Sequence, residues 1–215
     1  MIVFVTGASR GIGLAIAERF LAEGHEVFGF DIGPAGIVHP AYTHITHDVR
    51  DEAPLCVPDP DVIVNNAGTL EEKDAVAVNL LGSIRFTERF RDRPGLRSVL
   101  FIASASARNG AEFPYYVASK AGLVGYMKNL ALALAPRGIT VNSISPGGVK
   151  TDMNRHILES PELFKKVLDE TLLNKWAEPS EIADLAYYLT VTNRSITGED
   201  VLIDNGEMLR SNFIW

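Results

Sequence analysis

Residues 2–13 restrict what this chain can fold into more than any other stretch. Ile2-Val-Phe-Val5 is a short, continuously apolar run, the pattern of a strand buried on both faces, and it leads straight into Thr6-Gly-Ala-Ser-Arg-Gly-Ile-Gly13. Beyond that loop Ile12, Ile16 and Phe20 recur at helical spacing with Leu21 adjacent, Glu18, Arg19 and Glu23 fall on the opposite side, and Gly24 marks the end. A strand, a glycine loop and a helix in that order suit a pyrophosphate: Gly7 permits a tight turn, Gly11 a close approach of backbone, and Gly13 packing of helix on strand. Ser9, Arg10 and Ile12 complete the loop, and the helix start offers unpaired N–H groups to an anion. A glycine-rich turn holding no ligand is the plainer alternative; the flanking strand and helix favour nucleotide binding.

The rest of the chain repeats the unit. Val27-Phe-Gly-Phe30 reads as a second buried strand, and Asp31 stands at its end, 18 positions after Gly13. A carboxylate there can bond both hydroxyls of an adenosine ribose and repels a 2'-phosphate, so NAD(H) is expected over NADP(H), although Arg10 pulls the other way. Tyr42 to Ile45 suggests a third strand, followed by Asp48 and Val49 at the adenine edge. Residues 51–60 carry three prolines and no helical period, so a loop replaces the usual crossover helix. Asp61 to Val64 resumes as a strand and runs into Asn65-Asn66-Ala67-Gly68. A helix is expected over Asp74 to Phe90, with Asn79 beside its apolar stripe; by period alone such an asparagine is a satisfied structural group. Further strands are expected at Ser98 to Ala103, ending at Ser104, at Gly138 to Ile144, and at Asp200 to Ile203. Pro146-Gly147-Gly148-Val149-Lys150-Thr151 is a loop, residues 152–175 form an amphipathic lid, and a helix starts at Pro179.

Strands alternating with helices call for an α/β fold: a doubly wound, Rossmann-type parallel sheet with helices on both faces, built as one dinucleotide-binding domain over residues 1–215. Gly7, Asp31, Asn65, Ser104 and Pro146 all fall at the carboxyl ends of strands, where such sheets bind ligands. Composition agrees with this, at 47% hydrophobic and 22% charged. The net charge of -7 argues against a general attraction to nucleic acid or anionic membrane. The opening apolar run lacks the basic start and length of a secretion signal, no later run is long enough to span a bilayer, and a cytoplasmic location is the expectation. The single cysteine, Cys56, excludes an internal disulfide, and no His or Cys cluster has metal-ligand spacing.

Tyr116 and Lys120, four apart in a run where Leu123, Val124, Met127, Leu130, Ala131 and Leu134 recur at helical spacing, emerge on one side of a helix. A nearby ammonium favours the phenolate, which would bring the tyrosine toward a range useful for proton transfer. On its own the spacing is equally that of an exposed tyrosine and a solvated lysine.

Taken together these segments resemble the short-chain dehydrogenase/reductase family in its compact form. Thr6 to Gly13 is similar to that family's nucleotide-binding motif, Asn65 to Gly68 to its sheet-stabilising motif, Tyr116 to Lys120 to its Tyr-x-x-x-Lys motif, and Pro146-Gly147 to its nicotinamide-side loop. The resemblance implies Tyr116 as general acid/base, Lys120 as holder of the nicotinamide ribose that also lowers the tyrosine pKa, and Ser104 as donor to the substrate oxygen. It further implies Asn79 as holder of a proton-relay water, and Thr151 with the Val149 backbone as carboxamide contacts. Ser106 is a rival for the serine; its neighbour Ser104 follows the strand and stands 12 before Tyr116. The implied reaction is hydride transfer between nicotinamide and a secondary alcohol or ketone, in a homodimer or homotetramer; a catalytically silent nucleotide sensor or scaffold of the same fold is the alternative. Two connections, after Asp48 and between Gly68 and Asn79, are shorter than is usual in the family. The tail from Asn205 to Trp215 is apolar enough to pack on the monomer or on a second subunit.

Overall fold

The computed structural model describes residues 1–52, 54 and 56–209. Seven strands form one fully parallel sheet in the order β3-β2-β1-β4-β5-β6-β7. They are β1 (Ile2–Thr6), β2 (Glu26–Asp31), β3 (Tyr42–Thr46), β4 (Val62–Asn65), β5 (Ser98–Ile102), β6 (Thr140–Pro146) and β7 (Asp200–Ile203). The order reverses direction between β1 and β4, which opens a crevice at the carboxyl ends of those two strands.

Alternation along the strands divides the core into two layers. Val3, Val5, Val27, Val62, Val64, Leu100 and Ile102 face one side and pack on α1 (Gly11–Ala22) and, later in the chain, the helix that starts at Pro179. Phe4, Phe28, Phe30, Ile63, Val99 and Phe101 face the other, against the helices of residues 83–90 and 114–134. Successive side chains of a strand point to opposite faces, so a continuous apolar run is what two covered faces demand. On the second side Phe4 meets Phe30 and Phe90 at ring distances of 5.1 Å, with planes 60° and 87° apart, the edge-on geometry that aromatic quadrupoles favour.

Between β4 and β5 the chain forms α2 (Glu72–Ala75), a π-helical stretch (Val76–Gly82) and α3 (Ser83–Phe90). The wide turn departs from the plain helix expected there. Asn79 at its centre bonds outward to Thr69 and Ser119, and a Cβ on Gly82 would lie 2.6 Å from Val49. A local bulge with external partners is what such insertions reflect. The short α4 (Ser106–Asn109) and the long α5 (Pro114–Leu134) follow β5, and Pro114 occupies the first helical turn, where its missing N–H costs nothing.

The expected strand from Gly138 begins later, at Thr140: Gly138 instead closes the preceding turn at φ 70°, and the pairing extends to Pro146. After β6 come α6 (Arg155–Leu158), α7 (Pro161–Leu168) and α8 (Pro179–Tyr187). The described residues between β3 and β4 contain no helix, as the prolines required. Of the tail, Phe213, Ile214 and Trp215 lie outside the described residues.

Candidate active site

The crevice is a cleft of about 690 Å³ running across the strand ends from Asp31 to Trp176. At its floor Gly7 adopts φ 68° at the end of β1, a conformation that L side chains rarely take. Thr6 turns its hydroxyl across the sheet, and Oγ1 accepts from the N–H groups of Asn66 at 3.0 Å and Ala67 at 3.1 Å. Asn66 returns the link, its Nδ2 donating to the carbonyls of Thr6 and Gly7 at 3.1 and 3.0 Å. The glycine loop and the end of β4 are thereby one unit. Gly13 lies where a Cβ would stand 2.0 Å from the Gly7 carbonyl oxygen, so helix and loop pack in direct backbone contact. No side chain caps α1 and no acidic residue stands in its first turn, leaving the first N–H groups for an anion.

This cradle fits a dinucleotide. Asp31 borders it, but its carboxylate is also a structural brace: Oδ2 accepts from the Ser9 N–H at 2.9 Å and Oδ1 from the Gly33 N–H at 2.8 Å. Each oxygen keeps a lone pair for a ribose hydroxyl. Arg10, exposed, lines the same end. Asp48 is held by Arg50 through bonds of 2.7 to 3.1 Å, which keep its carboxyl below the usual range, and Val49 is buried against the helical bulge. At the far end Pro146 and Gly147 follow β6, Val149 bridges Ala177, and the methyl of Thr151 reaches to within 3.4 Å of where a Gly11 Cβ would lie. The loops after β1 and β6 therefore close on each other.

Ser104, Tyr116 and Lys120 converge between these two ends. Lys120 is buried and its Nζ donates to the Ile102 carbonyl at 2.8 Å; burial lowers its pKa to about 8. Nζ lies 5.7 Å from the centre of the Tyr116 ring. The expectation that this lysine lowers the phenol pKa does not hold for the protein alone. Burial, reinforced by the carboxylate of Glu112, pushes Tyr116 up to about 12, and hydrogen bonding by Ser104 only partly opposes it. The ammonium is turned toward a backbone carbonyl, while the phenol loses its hydration on entering the core.

Asn79 is completely buried, and its side chain is engaged by protein: Oδ1 accepts from the Thr69 N–H at 2.8 Å, and Nδ2 donates to the Thr69 carbonyl and to Ser119 Oγ, each at 3.0 Å. Ser119 Oγ donates in turn to the Tyr116 carbonyl at 2.7 Å, so Asn79 steadies the helix that carries Tyr116. Gly68 has no side chain between Asn79 and Lys120; a Cβ there would be 3.3 Å from Asn79 Oδ1 and 3.6 Å from Lys120 Nζ.

Glu170 comes to the cleft from the segment expected as a lid. Trp176 and Glu207 escaped sequence reasoning: they come from segments far along the chain, and no local pattern marks them. Trp176 packs against Gly148, where a Cβ would be 2.2 Å from the indole, and meets Phe164 edge-on at 5.7 Å. Arg108, on the short helix after β5, turns to Asp200, with Nε 2.9 Å from Oδ2. Among the described residues no group of side chains could hold a metal ion, and no helix is long and apolar enough to cross a membrane.

A family model described as "Enoyl-(Acyl carrier protein) reductase" matches residues 57–207. The 3-oxoacyl-[acyl-carrier-protein] reductase MabA of Mycobacterium tuberculosis is 31% identical over 95% of this chain and 91% of its own. The 3-oxoacyl-[acyl-carrier-protein] reductase FabG of Salmonella typhimurium is 30% identical over 95% and 96%. A solved structure of a putative 2-deoxy-D-gluconate 3-dehydrogenase from Agrobacterium tumefaciens, with bound NADP, superposes with a TM-score of 0.89 at 26% identity, covering 97% of this chain and 96% of that one.

Proposed function

Because the chain belongs to the short-chain dehydrogenase/reductase family, and is thus an NAD(P)-dependent oxidoreductase acting on CH–OH or C=O groups, we propose that Ser104, Tyr116 and Lys120 perform its chemistry. The observation that carries this reading is the meeting of the three side chains in one cleft with the glycine loop. A bound nicotinamide supplies or accepts the hydride. Tyr116 gives the proton to the carbonyl oxygen in reduction, or takes it from the alcohol in oxidation. Ser104 donates to the same oxygen as charge builds on it. Lys120, released from the Ile102 carbonyl, holds the nicotinamide ribose and brings its charge nearer the phenol, which relieves part of the rise that burial imposes. Asn79 acts through the bond to Ser119 by fixing the helix that carries Tyr116.

The Asp31 carboxylate supports NAD(H) as the preferred cofactor, since a 2'-phosphate would be placed against it. Residues 152–175, with Trp176, form the lid over the substrate, a secondary alcohol or ketone. Leu81 and Leu132, 40% and 78% exposed on the helices that carry Asn79 and Tyr116, suit a homodimer or homotetramer joined through those helices. The test is turnover of an alcohol and ketone panel followed by nicotinamide absorbance. Tyr116→Phe should lose nearly all turnover and keep nucleotide binding, whereas a nucleotide sensor would be indifferent to the change. Higher catalytic efficiency with NADPH than with NADH would refute the cofactor preference, and a monomer by light scattering would refute the assembly.

A further inference from the structure

Asp31 does not hold its place at the end of β2 by itself. In the parallel pairing of β2 with β3, Gly29 lies opposite His44 and Asp31 opposite Thr46. Alternation along the strands puts Gly29, Asp31, Tyr42 and His44 on one face of the sheet, the side against which α1 packs. Gly29 leaves room there: a Cβ would stand 2.1 Å from the Tyr42 hydroxyl oxygen, so the phenol lies across β2. His44 Nε2 lies 3.0 Å from the Gly33 carbonyl oxygen. A carbonyl only accepts, so Nε2 carries a proton; in the neutral ring Nδ1 is then an acceptor, and it faces the Tyr42 hydroxyl at 3.5 Å.

This bond closes a circuit on the carboxylate. Gly33 is pinned at its carbonyl by His44, and its N–H donates to Asp31 Oδ1 at 2.8 Å, an aspartate side chain bonding the backbone two residues on. The Ser9 N–H donates to Oδ2 at 2.9 Å. The loop that follows presses on the same point, since a Cβ on Gly36 would be 2.3 Å from the Ser9 carbonyl oxygen. Held at both oxygens, the carboxylate keeps one orientation. Tied at one oxygen only, it could rotate its charge away from an approaching anion. Refusal of a 2'-phosphate needs the first condition, because repulsion discriminates only where the charge cannot withdraw.

We propose that His44 is a positioning residue for cofactor choice: by anchoring the Gly33 carbonyl it locks the turn that sets the Asp31 carboxylate against the adenosine ribose, so that a 2'-hydroxyl is bonded and a 2'-phosphate is refused. The inference rests on the reading of Asp31 as the selector of NAD(H). It adds that selection belongs to the turn as well as to the acid, and it gives a role to a histidine on the edge strand that does not itself line the cleft.

Calorimetric titration of NADH and of NADPH into the wild type, His44→Leu, His44→Gln and Asp31→Ala tests this without need of a substrate. The readout is the ratio of the two dissociation constants. In His44→Leu the preference for NADH should shrink about fivefold, the order of one neutral hydrogen bond. NADH should weaken while NADPH does not. His44→Gln, whose side-chain amide keeps a donor, should restore most of the preference. A merely structural role would weaken both nucleotides by the same factor, and that result, or an unchanged ratio, overturns the proposal. Should His44→Leu fail to fold, His44→Thr carries the same expectation, because threonine suits a strand and its hydroxyl is too short to reach Gly33. Asp31→Ala separates the two readings. If it leaves the ratio unmoved, the NAD(H) reading falls and this inference falls with it; if it collapses the ratio while His44→Leu does not change it, this inference alone falls.

Discussion

Replacing Gly13 with alanine tests the junction on which nucleotide binding depends. The position is helical and its φ is ordinary, so conformational freedom is not at stake and propensity alone would favour alanine by up to about 1 kcal/mol. Space decides the sign. An alanine Cβ would lie 2.0 Å from the Gly7 carbonyl oxygen and 2.4 Å from Asn66 Nδ2, and the nearest atom belongs to backbone that cannot swing aside. The loop after β1 would have to lift, straining the Asn66 bonds to Thr6 and Gly7. Overpacking costs about 1–3 kcal/mol, and a clash with a backbone oxygen at 2.0 Å takes the upper end, so once the propensity gain is subtracted a net loss of about 2 kcal/mol is expected. In a chain of this size that corresponds to a fall in Tm of roughly 4–8 °C. Gly125→Ala is the matched control, because it lies within α5 and a Cβ there would meet nothing within 4 Å; it should be neutral or stabilising by about 1 kcal/mol. Thermal unfolding of both variants, with titration of NADH, separates the terms. Equal stability of the two, or undiminished nucleotide affinity in Gly13→Ala, would show that helix and loop do not touch as described.

Thr6→Val removes the oxygen that serves two N–H groups at the end of β4 and should cost about 2 kcal/mol by urea unfolding, while Thr6→Ser stays near wild type. Asp200 is 8% exposed and holds Ser143 Oγ at 2.7 Å, Ser145 Oγ at 2.8 Å and the Arg108 guanidinium, so Asp200→Ala should destabilise by about 3 kcal/mol or more by the same assay. Burial lowers the pKa of His25 and His47 from the ordinary 6.5, so the unfolded chain binds protons first as pH falls. The stability they contribute is present above pH 6.5 and is lost as pH falls toward their folded values, and a chain carrying His25→Asn and His47→Asn should show a shallower decline below pH 6.5. Glu112 and Glu207, whose pKa values are raised, act with the opposite sign in the carboxyl range and so cannot produce that decline.

What could be read from the residues was whatever periodicity and backbone chemistry determine locally. The run Ile2 to Val5 became β1 because an all-apolar strand has no stable place except between two covered faces, and Asp200 to Ile203 became β7, half-buried at the edge of the sheet. Tyr116 and Lys120 shared a helix face because spacing of four requires it. What was not legible depends on contacts between distant segments. The widened turn around Asn79 exists because Thr69 and Ser119, 10 and 40 residues away, claim its amide. The direction of the Tyr116 shift was misread for a related reason: spacing brings the ammonium near the phenol, but burial is a property of the whole core, and a backbone carbonyl of β5 claims the ammonium first.

That misreading bears on how the site works. A phenol held near 12 and a buried ammonium held near 8 mean that the protein by itself resists forming the charged partner that each transfer needs. The Lys120 bond to the Ile102 carbonyl and the packing of Tyr116 are compatible with a stable, inactive arrangement, and ribose hydroxyls offered to Lys120 would compete for that donor. Nucleotide binding should then lower the Tyr116 pKa, with the drop visible as tyrosinate absorbance appearing at lower pH in the wild type and not in Lys120→Met. A wild-type titration unmoved by NAD would mean that Lys120 serves the ribose alone.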